Sequence, residues 1–136
     1  MGADQIYIRR EEKSMKIMVI YILISVLGSA IGQLMLKKGM SDIGPLTLSV
    51  NRVIPVVCRM ATNPYVITGM MIYAMGTIFW LTALSRVDLS FAYPFVSLSY
   101  IIMLIGSWYL FNEHISVLRV VGTVVVIVGV LMISRS

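Results

Sequence analysis

The sequence predicts an all-α integral membrane protein, a bundle of four transmembrane helices with an interfacial helix between the first and the second. Three observations carry this expectation. Of 136 residues, 59% are hydrophobic and 12% charged, about half the charged share of an ordinary soluble domain. The apolar residues gather into four runs, about 17–36, 65–84, 89–111 and 117–133, each near the length that crosses about 30 Å of hydrocarbon. Proline, glycine and charge punctuate the intervals between them.

Residues 1–14 read as a polar extension containing Arg9, Arg10, Glu11, Glu12 and Lys13, and Met15-Lys16 opens a single membrane domain, 15–136. Met1-Gly2 lacks the Ser or Thr at position six that myristoylation requires. The first run extends from about Ile17 to Leu36. A signal peptide competes as a reading, because Gly28-Ser29-Ala30 follows an apolar stretch. The run nevertheless continues to Leu36 before Lys37-Lys38, too long for an h-region. Ser25, Ser29, Gly32 and Gln33 share one face, and Gly28 with Gly32 forms a small-xxx-small pair suited to a close helix contact.

Residues 39–64 form a long connection broken by Gly39, Gly44, Pro45 and Pro64. Inside it Leu46, Val50, Val53, Val57 and Met60 fall within about 40° of one helical line, with Arg52 and Arg59 nearly opposite. This is the pattern of a helix at about 46–60 lying in the interface, kinked or split at Pro55. A solvated loop dipping toward lipid is the alternative.

The second span, about 65–84, starts just after Asn63-Pro64, and Gly69, Tyr73, Gly76 and Trp80 share a face that reads as a packing seam. The short turn Ser85-Arg86-Val87-Asp88 makes spans two and three antiparallel neighbours. The third span, 89–111, is the most polar, with Ser90, Tyr93, Ser97, Ser99 and Tyr100 in its first half. Tyr93, Ser97 and Tyr100 follow at spacings of four and three, one face of a helix. Pro94 lies inside this span and frees a carbonyl near Ser90. Asn112 to Ser116 turn into the last span, 117–133, where Gly122 and Gly129 lie seven apart on one face. They read as a helix–helix contact between subunits.

Four spans place both termini on one side. With the termini inside, the basic residues there are Arg9, Arg10, Lys13, Lys16, Arg86 and Arg135, against Lys37, Lys38, Arg52, Arg59 and Arg119 outside. The near balance sets no orientation.

The net charge of +5 flanks apolar runs, which fits headgroup anchoring rather than nucleic acid. Cys58 is the only cysteine and His114 the only histidine, so one chain assembles neither an intrachain disulfide nor a histidine/cysteine zinc site. No catalytic constellation, metal site or cofactor site is expected, and the chain is not read as an enzyme. No acidic or basic residue occupies the middle of a span, which removes the buried carboxylate of a proton-exchanging pump. What remains is a set of hydroxyls and amides, Ser29, Gln33, Tyr73, Thr77, Tyr93, Ser97 and Tyr100, with Lys37, Lys38, Arg86 and Arg119 around its mouths. Such a set suits an uncharged polar group such as a sugar below a phosphate held at the membrane surface. Simple snorkelling at a helix end is the competing role for Lys37 and Lys38. Glu113 is the acid nearest a span. Pairing with Arg119, capping the last helix and titrating during transport are its candidate roles, in that order.

Three stretches carry a resemblance: Gly32-Gln33-Leu34-Met35-Leu36-Lys37, then Ala92-Tyr93-Pro94 with Ser97-Leu98-Ser99, then Glu113 to Gly129. Over roughly residues 20–38 and 65–134 the chain resembles the drug/metabolite transporter superfamily (EamA-like). Within it the likeness is to the four-helix subunits that flip undecaprenyl-phosphate-linked aminoarabinose. The resemblance implies a dimer in the bacterial cytoplasmic (inner) membrane that moves a polyprenyl-phosphate sugar between leaflets. The partner would be a second copy or a related four-helix subunit. On this reading Gln33, Lys37, Tyr73, Arg86, Tyr93, Ser97, Tyr100 and Glu113 bind substrate, and Gly122 and Gly129 form the dimer contact. The chain is also similar to the small multidrug resistance transporters, but Ser29 stands where that family has its first-helix glutamate. An exporter of small cations or metabolites and a non-transporting accessory subunit are therefore the alternatives.

Overall fold

A computed structural model describes residues 3–45 and 53–133, and every regular element among them is a helix. These are α1 (Ala3–Ile43), α2 (Val53–Thr62), α3 (Pro64–Leu84), α4 (Leu89–Val96), α5 (Leu98–Phe111) and α6 (Val117–Ile133). Among the described residues three segments are long and apolar enough to cross a membrane: Ile8–Ile43 of α1, all of α3, and Leu89–Phe111, which joins α4 to α5. Helix α6 is apolar but shorter, at 17 residues.

The packing is dominated by the antiparallel pair α1/α3, and glycine is the reason. A Cβ placed on Gly32 would lie 2.8 Å from the Gly69 carbonyl oxygen, and one on Gly69 would lie 2.8 Å from that of Gly32. The two backbones touch there. Further along the seam Gly76 sits against Ser25 and Ser29, while Gly28 faces the Gly76 Cα at 3.7 Å. In lipid there is little hydrophobic force between helices, so this close approach is what holds the pair. The face Gly69-Tyr73-Gly76-Trp80 anticipated from sequence is thus a contact face, with its glycines buried.

Gly39 departs from expectation. It does not break the first helix but lies inside it, packed against Asn63 and Val66 of the returning chain. The helix ends instead at Gly44, whose φ of +86° is the left-handed conformation glycine adopts freely, and whose N–H donates to the Met40 carbonyl at 3.0 Å. Asn63 then caps α3. Its side-chain oxygen accepts from the N–H groups of Tyr65 and Val66, and its amide donates back to the Gly39 carbonyl at 3.4 Å. One side chain therefore starts α3 and ties it to α1.

Helix α2 covers the second half of the expected interfacial helix; residues 46–52 lie outside the described residues. It runs unbroken past Pro55, which falls in the first turn, where the absent N–H has no carbonyl to serve. Val53, Ile54 and Val57 remain exposed.

Toward the far end of α1 the core gathers Ile22, Val26, Ala83 and Ala92, with Trp80, Phe95 and Val96 packed around them. The third span is interrupted at Ser97. Pro94 cannot donate to Ser90, and the chain tightens: Ser97 N–H donates to Pro94, and Tyr100 N–H donates to Ser97, both three-residue steps. Helix α6 has no buried residue, and a Cβ on Gly122 or Gly129 meets nothing within 4 Å. Among the described residues, these two glycines make no close helix contact.

Candidate functional site

Two cavities flank the α1/α3 pair, and Gln33 lines both. The first, about 310 Å³, is built from Ser25, Ser29 and Gln33 of α1, Tyr73, Thr77 and Trp80 of α3, and Tyr93, Val96 and Ser99 of the third span. The spacings explain the convergence. Ser25, Ser29 and Gln33 recur every four residues, and Tyr73, Thr77 and Trp80 at four and three, so each set forms one stripe. The Trp80 and Tyr93 rings meet edge to face, 6.2 Å between centroids, which sets the wall of this chamber.

The polarity of that chamber is lopsided. Thr77 donates its hydroxyl hydrogen to the Tyr73 carbonyl at 3.0 Å, and Ser99 donates to Val96 at 2.6 Å. Both hydroxyls keep only acceptor lone pairs for a ligand. Among the described residues the Gln33 amide and the Ser25, Ser29, Tyr73 and Tyr93 hydroxyls have no side-chain hydrogen-bond partner, so these supply the donors. Such a surface grips a group that both donates and accepts, as a polyhydroxylated ring does.

The second cavity, about 440 Å³, continues from Gln33 along Leu34, Lys37, Tyr100, Met103, Leu104, Ser107 and Phe111 to Glu113, Arg119 and Thr123. The α5 members follow one helical face at i, i+3, i+4, i+7 and i+11 from Tyr100. The apolar wall is locked where Leu34 lies on Gly106, within 2.7 Å of the Cβ position there. At the end of this chamber Lys37 Nζ lies 3.0 Å from Glu113 Oε1 and 5.7 Å from the centre of the Phe111 ring. Arg119 lines the same chamber without a carboxylate partner among the described residues.

Glu113 is delivered by a helix cap. Asn112 ends α5 with φ +50°, and the N–H groups of Asn112 and Glu113 both turn back to the Ser107 carbonyl. Asn tolerates this left-handed geometry where β-branched residues do not. Asn112→Gly is expected to unfold at the wild-type temperature, and Asn112→Val to lose about 1–2 kcal/mol. Thermal unfolding in mild detergent would read both.

Of the sequence-derived candidates, Gln33, Tyr73 and Tyr93 meet in the first chamber with Ser29 and Thr77, and Lys37, Tyr100 and Glu113 meet in the second with Arg119. Three placements need correction. Ser97 lines neither chamber: it is 4% exposed and donates to the Pro94 carbonyl at 2.6 Å. The three-residue steps after Pro94 turn it off the tyrosine face and bring Ser99 in. Arg86 lies at the other end of the bundle, beside Arg10 and Lys13. Lys38 faces away and pairs with Asp42 at 2.9 Å. In addition, Glu113 pairs with Lys37 rather than Arg119. Sequence reasoning missed Trp80, Ser107 and Phe111 as lining residues; the i+7 and i+11 positions counted from Tyr73 and Tyr100 were the available signal.

The probable 4-amino-4-deoxy-L-arabinose-phosphoundecaprenol flippase subunit ArnF of Photorhabdus laumondii is 32% identical over 120 residues, 85% of this chain and 95% of that protein. ArnF of Proteus mirabilis, described in the same words, is 30% identical over 132 residues, 89% of this chain and 94% of its own length. The corresponding probable subunit ArnE of Aeromonas salmonicida is 34% identical over 72 residues, 53% of this chain and 63% of that protein, so the chain leaves over a third of this relative uncovered. No solved structure matches the chain. The model of the EamA-like transporter family matches residues 16–135. With its long apolar helices and that match, the chain is a multi-pass membrane protein and belongs to the EamA-like transporter family.

Proposed function

We propose that the protein is one half of a flippase that carries a polyprenyl-phosphate-linked aminosugar across the bacterial inner membrane. One observation carries the reading: a hydroxyl- and amide-lined chamber and a cation-bearing chamber share Gln33, so a sugar and its phosphate fit end to end. The sugar would lie among Tyr73, Thr77, Tyr93 and Ser99, and the phosphate beside Lys37 and Arg119. Guanidinium and ammonium donors bind phosphate oxygens with charge-assisted hydrogen bonds. Glu113 pairs with Lys37, and an arriving phosphate would exchange with it. The polyprenyl tail would stay outside in lipid.

In this reading α6 is a fourth span, and its exposed face with Gly122 and Gly129 meets a second subunit, either a copy of this chain or a related four-helix protein. The names of the ArnE and ArnF relatives, each a flippase subunit, support the pairing. Rocking of the two halves would alternate access to the groove. The test is transport of the aminosugar lipid in reconstituted vesicles. Tyr93→Phe removes one hydrogen bond, about 0.5–1.5 kcal/mol, and is expected to slow transport several-fold while the protein still assembles. Tyr93→Phe and Gln33→Leu both flipping at the wild-type rate would reject the groove as the headgroup path.

A further inference from the structure

The end of the bundle opposite Lys37 holds a separate basic cavity of about 420 Å³. Its cations are Arg10 and Lys13 of α1 and Arg86 just past α3; its apolar wall is Ile17, Met18 and Tyr21. The α1 members stand at i, i+3, i+7, i+8 and i+11, one face of the helix. Glu12, on the opposite face, pairs with Lys16 at 3.5 Å. Among the described residues no carboxylate pairs with Arg10, Lys13 or Arg86, and the sequence neighbours Glu11 and Asp88 make no ion pair with them. Three like charges around one cavity repel unless an anion joins them.

The depth of the cavity selects the anion. From Ile17 to Lys37, α1 rises about 30 Å, the thickness of a hydrocarbon layer. With Lys37 at one headgroup layer, Arg10, Lys13 and Arg86 stand at the other. The apolar wall begins directly beneath them, and Met18 is 6% exposed. We propose that this cavity binds the phosphate of an anionic phospholipid, with the acyl chains descending along Ile17 and Tyr21. The site is independent of the transport groove. Two of its three cations precede residue 16, where the family match begins.

Native mass spectrometry of the full chain, purified in mild detergent and incubated with phosphatidylglycerol or phosphatidylcholine, tests this. Phosphatidylglycerol should be retained and phosphatidylcholine should not. Arg86→Gln should cut retention roughly fivefold, the worth of one cation at a membrane surface, and adding Arg10→Gln and Lys13→Gln should abolish it. Lys37→Gln should leave it unchanged. Circular dichroism confirms that each variant is folded; if the triple variant is not, the single change at Arg86, an exposed side chain, decides. Equal retention of both lipids, full retention without Arg86, or equal loss on Lys37→Gln would overturn the site. Displacement by inorganic phosphate at the lipid's concentration would assign it to a soluble anion. Displacement by a polyprenyl phosphate at tenfold lower concentration, roughly 1.4 kcal/mol tighter, would make it a station for transported lipid. Either result overturns the phospholipid assignment.

Discussion

Alanine at Gly32 or at Gly69 is expected to destabilise the protein by about 1–3 kcal/mol, while alanine at Gly28 is neutral or stabilising. The contrast follows from what each new methyl meets. At Gly32 it would lie 2.8 Å from the Gly69 carbonyl oxygen and 3.0 Å from the Tyr73 nitrogen; at Gly69 it would lie 2.8 Å from the Gly32 oxygen and 3.0 Å from the Leu36 nitrogen. These neighbours are backbone, so relief requires the helices themselves to separate, and the close packing of the seam is lost with them. At Gly28 the nearest atom is the Gly76 Cα at 3.7 Å, an ordinary contact. There the substitution replaces glycine in a helix interior and recovers about 0.5–1 kcal/mol of backbone entropy. Thermal unfolding of the three purified variants in one detergent measures the ordering. A Gly32→Ala protein as stable as Gly28→Ala would show that the seam is looser than the geometry states.

Lys37→Gln is expected to lower transport roughly ten- to a hundredfold, the loss of one hydrogen bond to a charged group, about 1.5–3 kcal/mol. Its effect on stability is expected to be small. The side chains of Lys37 and Glu113 are 55% and 34% exposed, and a pair so open to solvent contributes about 0–1 kcal/mol. The two measurements together separate a substrate-binding lysine from a merely structural one, since a structural role would move the unfolding temperature and leave the transport of surviving protein intact. Glu113→Gln adds the opposite sign. It removes the internal competitor for Lys37 and should lower the substrate concentration at half-maximal rate. Wild-type transport by Lys37→Gln would remove this residue from the substrate path.

The apolar runs were legible because hydropathy over about twenty residues is a strong signal, and the structure's three long spans lie where those runs do. Boundaries set by tertiary contact were not. Gly39 reads as a breaker in sequence, yet its missing side chain serves the approach of Asn63 and Val66. Ser97 shares a helical face with Tyr93 only while the helix keeps 3.6 residues per turn, and Pro94 ends that regularity. The Lys37–Glu113 pair depends on a left-handed Asn112, which no periodicity reports. Arg86 is a different case. Antiparallel packing of the first two spans already places the end of the second beside Ile17, far from Lys37, so its position was available from the topology alone.

The glycine seam also bears on how the protein is made. Its two helices are the first two long apolar segments of the chain, and Leu84 emerges from the ribosome before any of Leu89–Phe111 does. Chains acquire structure from the N-terminal side as they are synthesised. The α1/α3 hairpin, already capped by Asn63, can therefore close in the membrane as a finished unit. The later helices then arrive at a preformed surface, and the groove is assembled last, on the hairpin's outer face.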